Sequence, residues 1–394
     1  MDRRRFVQRS ILPVMAYAAS GSATPSTDEQ AGAGGQAGLK EKFFGCIAGC
    51  HVGSALKGPC EGWTWQDCEA KFGVIDKLLP YRDYGNNWNR EPGTTEDGVE
   101  RQKMMITAII EKQDRVTAED VRKIWVRDMK PEAAGMISEP FEAVLLKMAQ
   151  SGMPAADIGK YCDYAGLVSM SRSCHAIALI NAGDVDSAVN DVMEVGQLYQ
   201  TANSRGLQWA AIMAIAIATA TKPGATVDRV IAAVLKGHPR IGRGVTAEIE
   251  RGLRVAQPCK DYRELRVAFD KVYFGKGMPY PTSYANEVVT KGICVFSMGV
   301  FSMGRGNTKE AMLAAVNMGR DTDCMSACAA GISGALTGAG SIPEEWIKQV
   351  DYATTKMPIT NSRRSIREHA DGLYGAFLAR LRRMRAYTAE MEKA

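Results

Sequence analysis

Residues 317–340 constrain this chain more than any other stretch: Asn-Met-Gly-Arg-Asp-Thr-Asp-Cys-Met-Ser-Ala-Cys-Ala-Ala-Gly-Ile-Ser-Gly-Ala-Leu-Thr-Gly-Ala-Gly. Asp321 and Asp323 are spaced i, i+2. The run after them is built of Ala, Gly, Ser and Cys, with Met325, Ile332 and Leu336 as its bulkier apolar residues. A helix this poor in bulk is buried only if neighbouring backbones come close. Gly331, Gly334 and Gly338 lie three and four apart and are expected on one face. Glycine costs about 1 kcal/mol against alanine inside a helix, so three of them require a packing reason. The expectation is a central, enclosed helix with an Asp-Thr-Asp at its N-terminal end. Two acids there are costly unless they meet a cation, and a hard metal ion with oxygen ligands is one answer. The other is that both acids merely cap the helix.

The chain is long enough, at 394 residues, for one large domain or two ordinary ones, and its 24% charged residues are ordinary for a soluble protein. Its net charge of +5 is concentrated at the ends, in Arg3, Arg4, Arg5 and Arg9 and in the arginines from Arg363 to Arg385. The near-neutral middle gives no footprint for nucleic acid, and no apolar run is long enough to span a bilayer.

Arg3-Arg4-Arg5-Phe6-Val7, the apolar stretch from Ile11 to Ala19 and the small residues after it resemble a twin-arginine export signal over residues 1–23. This implies an exported, periplasmic protein, the alternative being a basic tail on a cytoplasmic one. Residues 24–38 read as a flexible linker and 39–394 as one helical domain. Cys46, Cys50, Cys60 and Cys68 cluster near His51, but without paired Cys-x-x-Cys spacing they read as small buried residues rather than zinc ligands.

Along the domain the apolar spacing is helical, and strand alternation is weak throughout. A second acidic segment, Pro92-Gly93-Thr94-Thr95-Glu96-Asp97-Gly98, precedes a helical pattern from Val99 to Lys112, with Thr94 or Thr95 as the expected N-cap. Alone it is an ordinary cap; paired with Asp321 and Asp323 it suggests two acidic helix starts facing one metal. Gly58-Pro59 ends an early helix and puts Glu61 on a turn. Ser169, Ser171, Arg172, Ser173 and His175 form an unusually polar run that suits a sugar or phosphate, although His175 alone would read as a core histidine. Residues 365–394 form a basic amphipathic helix expected on the outside.

Taken in order, these segments resemble the ADP-ribosylglycohydrolase (DraG-like) family. Gly53 to Glu61 is similar to its early Gly-Asp-Ala-Leu-Gly-Ala-Pro-x-Glu segment, and Thr95-Glu96-Asp97-Gly98 to its Thr-Asp-Asp-Thr metal motif. Gly319-Arg320-Asp321-Thr322-Asp323-Cys324 is similar to its late Gly-Gly-Asp-Thr-Asp-Thr motif. The small-residue helix and Pro343-x-x-Trp346 beyond it match the family's order as well. The resemblance implies an all-α, compact multi-helix domain. It also implies hydrolysis of an ADP-ribosyl or related N- or O-glycosidic bond, with Mg²⁺ or Mn²⁺, one ion or two, orienting the ribose diol and activating water.

Carried over, the metal ligands are Thr95, Glu96, Asp97, Asp321 and Asp323. The catalytic carboxylates are Asp97 and Glu61, and Ser171, Arg172, His175 and Arg320 bind substrate, Arg320 meeting an anionic group. The chain departs from the pattern at Ser54 and Gly98, which stand for Asp and Thr. It departs also at Glu96 for Asp, Arg320 for Gly and Cys324 for a hydroxyl ligand, a soft donor poorly matched to Mg²⁺. The alternative is a non-catalytic member that binds or scaffolds.

Overall fold

Packing begins with glycine. In the computed structural model, the helix Thr322–Thr337 is buried from Thr322 to Leu336. The first helix, Leu39–Ala55, is buried from Lys42 to Ala55. The two touch backbone to backbone: a Cβ on Gly334 would lie 2.0 Å from the Gly45 carbonyl oxygen, and one on Gly49 would lie 2.3 Å from that of Ala330. Any side chain at these positions would force the helices apart.

The three glycines expected on one face divide their work. Gly334 meets the first helix. Gly331 meets the His175 ring, 2.3 Å from where its Cβ would be. Gly338 lies past the helix end as its C-cap, at φ 81°, a conformation glycine adopts without a Cβ penalty.

The structure describes residues 37–56, 62–82, 89–129, 140–162, 164–274, 288–357 and 360–393. The proposed export signal, most of the linker and Glu61 lie outside these. Among the described residues there are eighteen α-helices and one antiparallel ladder, Tyr81–Arg82 with Asn89–Arg90, so the fold is all-α.

Around the central pair stand Val288–Met303, Thr308–Val316 and Arg205–Ala220, the last buried over nearly its whole length. The Nζ of Lys42 donates to the carbonyls of Ala220 (2.9 Å) and Lys222 (3.2 Å), closing that helix's C-terminal end. The C-terminal helix Ile366–Met391 starts in a capping box between Ser365 and Glu368. Its first half packs on the first helix, Phe377 and Tyr374 lying 5.5 and 5.4 Å from the Phe43 ring centroid. Residues 382–391 are exposed. No described helix is long and apolar enough to cross a membrane.

Two acidic helix starts joined by a guanidinium

The turn before the central helix is tightly held. Gly319 and Arg320 both take positive φ, 74° and 68°. A left-handed non-glycine residue costs on the order of 1–3 kcal/mol, so its surroundings must fix it. The Arg320 N–H donates to the Trp63 carbonyl at 2.6 Å, and its carbonyl accepts from Gly62 N–H at 2.9 Å. Its guanidinium is buried and paired with Asp270, which also accepts from Trp65 Nε1 at 2.9 Å. The left-handed turn delivers Asp321 to the N-cap position, where its side chain makes no capping hydrogen bond, and Asp323 to the first turn. Capping therefore does not account for the Asp321 carboxylate.

The second acidic start differs from its expected cap. Glu96, not Thr94 or Thr95, is the N-cap of Asp97–Lys112, in extended backbone at φ −125°, ψ −168°. The Thr94 hydroxyl instead donates to the Glu91 carbonyl at 2.8 Å. Thr95 is buried, and its Oγ1 has no hydrogen-bond partner among the described residues; the same holds for Thr322 Oγ1. Asp97 accepts from the Gly98 N–H at 2.8 Å.

Arg172 connects the two starts. One guanidinium nitrogen pairs with Asp97 Oδ2, and the other donates to Cys324 Sγ at 3.2 Å. Arg101, one turn after Asp97, lies 3.0 Å from the same Oδ2 and also pairs with Glu142. Cys324 Sγ donates to Asp323 Oδ2 at 3.6 Å. Asp321, Asp323 and Cys324 place one ligand atom each within 4.8 Å of one another. Burial holds the Cys324 thiol well above its usual range, against the pull of the Arg172 charge. Cys324 is thus a neutral donor beside the acids.

The polar run 169–175 splits in the fold. Arg172 alone reaches the acids. Ser171 is fully buried, and its carbonyl accepts from Cys328 Sγ at 3.4 Å. His175 is fully buried with Nε2 3.2 Å from the Ala327 carbonyl, and burial lowers its pKa to about 4. It packs beneath the central helix. Cys46, Cys50 and Cys68 are buried. They join no metal-binding group among the described residues. Sequence reasoning missed Arg101, although its i+4 spacing from Asp97 was a signal, and missed Asp270, whose link to Arg320 no spacing reveals.

The two sides of the centre suit a metal unequally. Asp321 and Asp323 flank Thr322, whose buried hydroxyl has no hydrogen-bond partner among the described residues, and the three offer hard oxygen donors of the kind Mg²⁺ or Mn²⁺ takes. Asp97 already carries two guanidiniums.

Fold and site together define an all-α domain whose acidic centre is built on helix N-termini. The sequence profile of the ADP-ribosylglycohydrolase family matches residues 35–382, and the chain belongs to that family. A solved structure described as an ADP-ribosylglycohydrolase-related protein complex superposes with a TM-score of 0.57 at 15% identity, covering 86% of this chain and 99% of that one. No curated protein matches this chain.

Proposed function

We propose that this protein is a metal-dependent hydrolase of an ADP-ribosyl group or a related N- or O-glycosidic bond. The observation that supports it best is the convergence of Asp97 with Asp321 and Asp323 through Arg172, in a chain that belongs to a glycohydrolase family. Asp321 and Asp323 hold one Mg²⁺ or Mn²⁺, helped by the Thr95 hydroxyl. When bound, that ion polarises a sugar hydroxyl and lowers the pKa of water.

The remaining work belongs to the chain. Cleavage builds positive charge at the anomeric carbon, which a site rich in fixed carboxylates stabilises. Asp97 is a catalytic carboxylate that acts through its fixed negative charge, held in one orientation by Arg101, Arg172 and the Gly98 N–H. The positive charge of Arg172, at the boundary between the acids, would draw an anionic part of the substrate such as a phosphate toward the centre. Glu61, which lies outside the described residues, is the second acid toward the leaving group. The basic N-terminal segment supports export of the folded protein.

The test is product release from ADP-ribosylated protein and small-molecule ADP-ribosides, with Mg²⁺ or Mn²⁺ supplied and then chelated. Metal-dependent release of ADP-ribose is the expected result. Release that survives both chelation and Asp321→Ala would overturn the assignment.

A further inference from the structure

We propose that Arg172 supplies a permanent cation to the Asp97 side of the centre. A divalent ion is then admitted between Asp321 and Asp323 and excluded from Asp97, and Gly98 is the residue that makes room for the guanidinium. The proposal rests on the metal reading of the site and fixes its stoichiometry.

The geometry carries it in three steps. First, the guanidinium is interposed: it pairs with Asp97 at one nitrogen and donates to Cys324 at the other, so it separates Asp97 from the Asp321–Asp323–Cys324 group. A cation at that spot repels a second one. Second, Arg172 is more than nine-tenths buried, and Arg101 beside it is almost fully buried and bonded to both Asp97 and Glu142. Neither can swing into water to vacate the carboxylate without leaving a buried charge behind. Third, the path of the Arg172 side chain depends on the missing side chain at position 98. A Cβ there would lie 2.8 Å from Arg172 Cδ, 3.1 Å from Cγ and 3.2 Å from Nε. Glycine at position 98 and arginine at position 172 are complementary; a larger residue at 98 displaces the arginine.

Charge arithmetic agrees. Asp97, Glu142 and Asp323 are connected through Arg101, Arg172 and Cys324, and Asp321 adjoins Asp323 and Cys324. Within this set, four carboxylates against two guanidiniums leave two negative charges, the charge of one divalent ion.

The experiment is Mn²⁺ binding to the full chain, counted from the loss of the free-ion electron paramagnetic resonance signal. The wild type is expected to bind one Mn²⁺ with an uncoupled spectrum. Arg172→Gln is expected to bind two, a doubling, with the exchange-broadened spectrum of neighbouring ions. Gly98→Thr should shift the count in the same direction by crowding the arginine out. Two ions in the wild type, or one ion in all three proteins, would overturn the proposal while leaving the metal reading intact. No binding to any of them would overturn both. No binding to the wild type but one ion in Arg172→Gln would uphold the guanidinium as occupant of the Asp97 side and sink the Asp321–Asp323 site. Should Arg172→Gln lose its cooperative thermal transition, the wild type and Gly98→Thr decide the matter alone.

Discussion

Asp321 and Asp323 sit two residues apart, both buried, beside the thiol of Cys324 rather than in water. Crowding two like charges away from solvent is a stability cost that a bound cation offsets. Stability and activity should therefore respond to Asp321→Asn in opposite senses. A metal ligand is worth several kcal/mol of transition-state stabilisation, so turnover should fall by roughly 100-fold or more. In metal-free buffer the same variant should unfold at an equal or higher temperature than the wild type, because a like-charge contact has been relieved. A loss of activity accompanied by a large drop in the unfolding midpoint would instead mark Asp321 as structural. At this scale the acids were legible, because Asp-x-Asp ahead of an Ala/Gly helix has few inexpensive explanations. The role of Arg172 was not, since its partners Asp97 and Cys324 are 75 and 152 residues away. Local spacing marked it as polar and unusual, but only folding shows that it reaches the acids while Ser171 and His175 turn into the core.

Between helices, the deciding quantity is the space beyond each glycine. Gly334 and Gly375 are both helical, yet a Cβ at Gly334 would collide with the Gly45 carbonyl, whereas one at Gly375 meets nothing within 4 Å. The same substitution should therefore have opposite signs at the two sites. Gly334→Ala must separate the two central helices and should destabilise by about 3 kcal/mol or more, at the upper end of overpacking. Gly375→Ala relieves only backbone entropy and should stabilise by about 0.5–1 kcal/mol. Urea midpoints of the two variants check this directly; equal shifts would refute the close-packed interface. The sequence announced that the late glycines needed a reason. It did not say that Gly45, Gly49 and Gly53, four residues apart on the first helix, were the complementary surface. A helix pattern gives a face, whereas the partner of that face is set by tertiary packing. The misplaced N-cap has a similar origin: threonine is the better capper in isolation, but here Thr95 is turned inward and Glu96 takes the cap position.

Three of the four histidines, His51, His175 and His369, are buried, and together they make the stability of the whole molecule depend on pH. His51 Nε2 lies 2.9 Å from Gln102 Oε1, its ring centroid 5.8 Å from that of His369. Burial, with the Lys103 charge adding to it, lowers the His51 pKa to about 3; burial lowers that of His175 to about 4 and drives His369 well below its usual value. The groups facing this cluster include the buried ion pair of Lys103 with Glu100, at 2.7 Å. Glu100 also accepts from Asn361 N–H at 2.9 Å, which ties the C-terminal segment to the second acidic helix. In the unfolded chain each histidine takes up a proton near pH 6.5, whereas in the folded chain it stays neutral until pH falls to about 4 or lower. Between those limits the unfolded state binds more protons, so stability falls as pH falls. Each histidine contributes a slope of about 1.4 kcal/mol per pH unit below about 6.5. The folded protein should therefore lose stability steeply from pH 7 to pH 5, read as a falling urea midpoint. His175→Gln should be less stable than the wild type at pH 7, because it disturbs the packing under Gly331, yet it should lose less between pH 7 and pH 5. The comparison of slopes separates the proton effect from the packing effect: a variant that is shifted down but runs parallel to the wild type would show that His175 fills space and does not couple folding to protons.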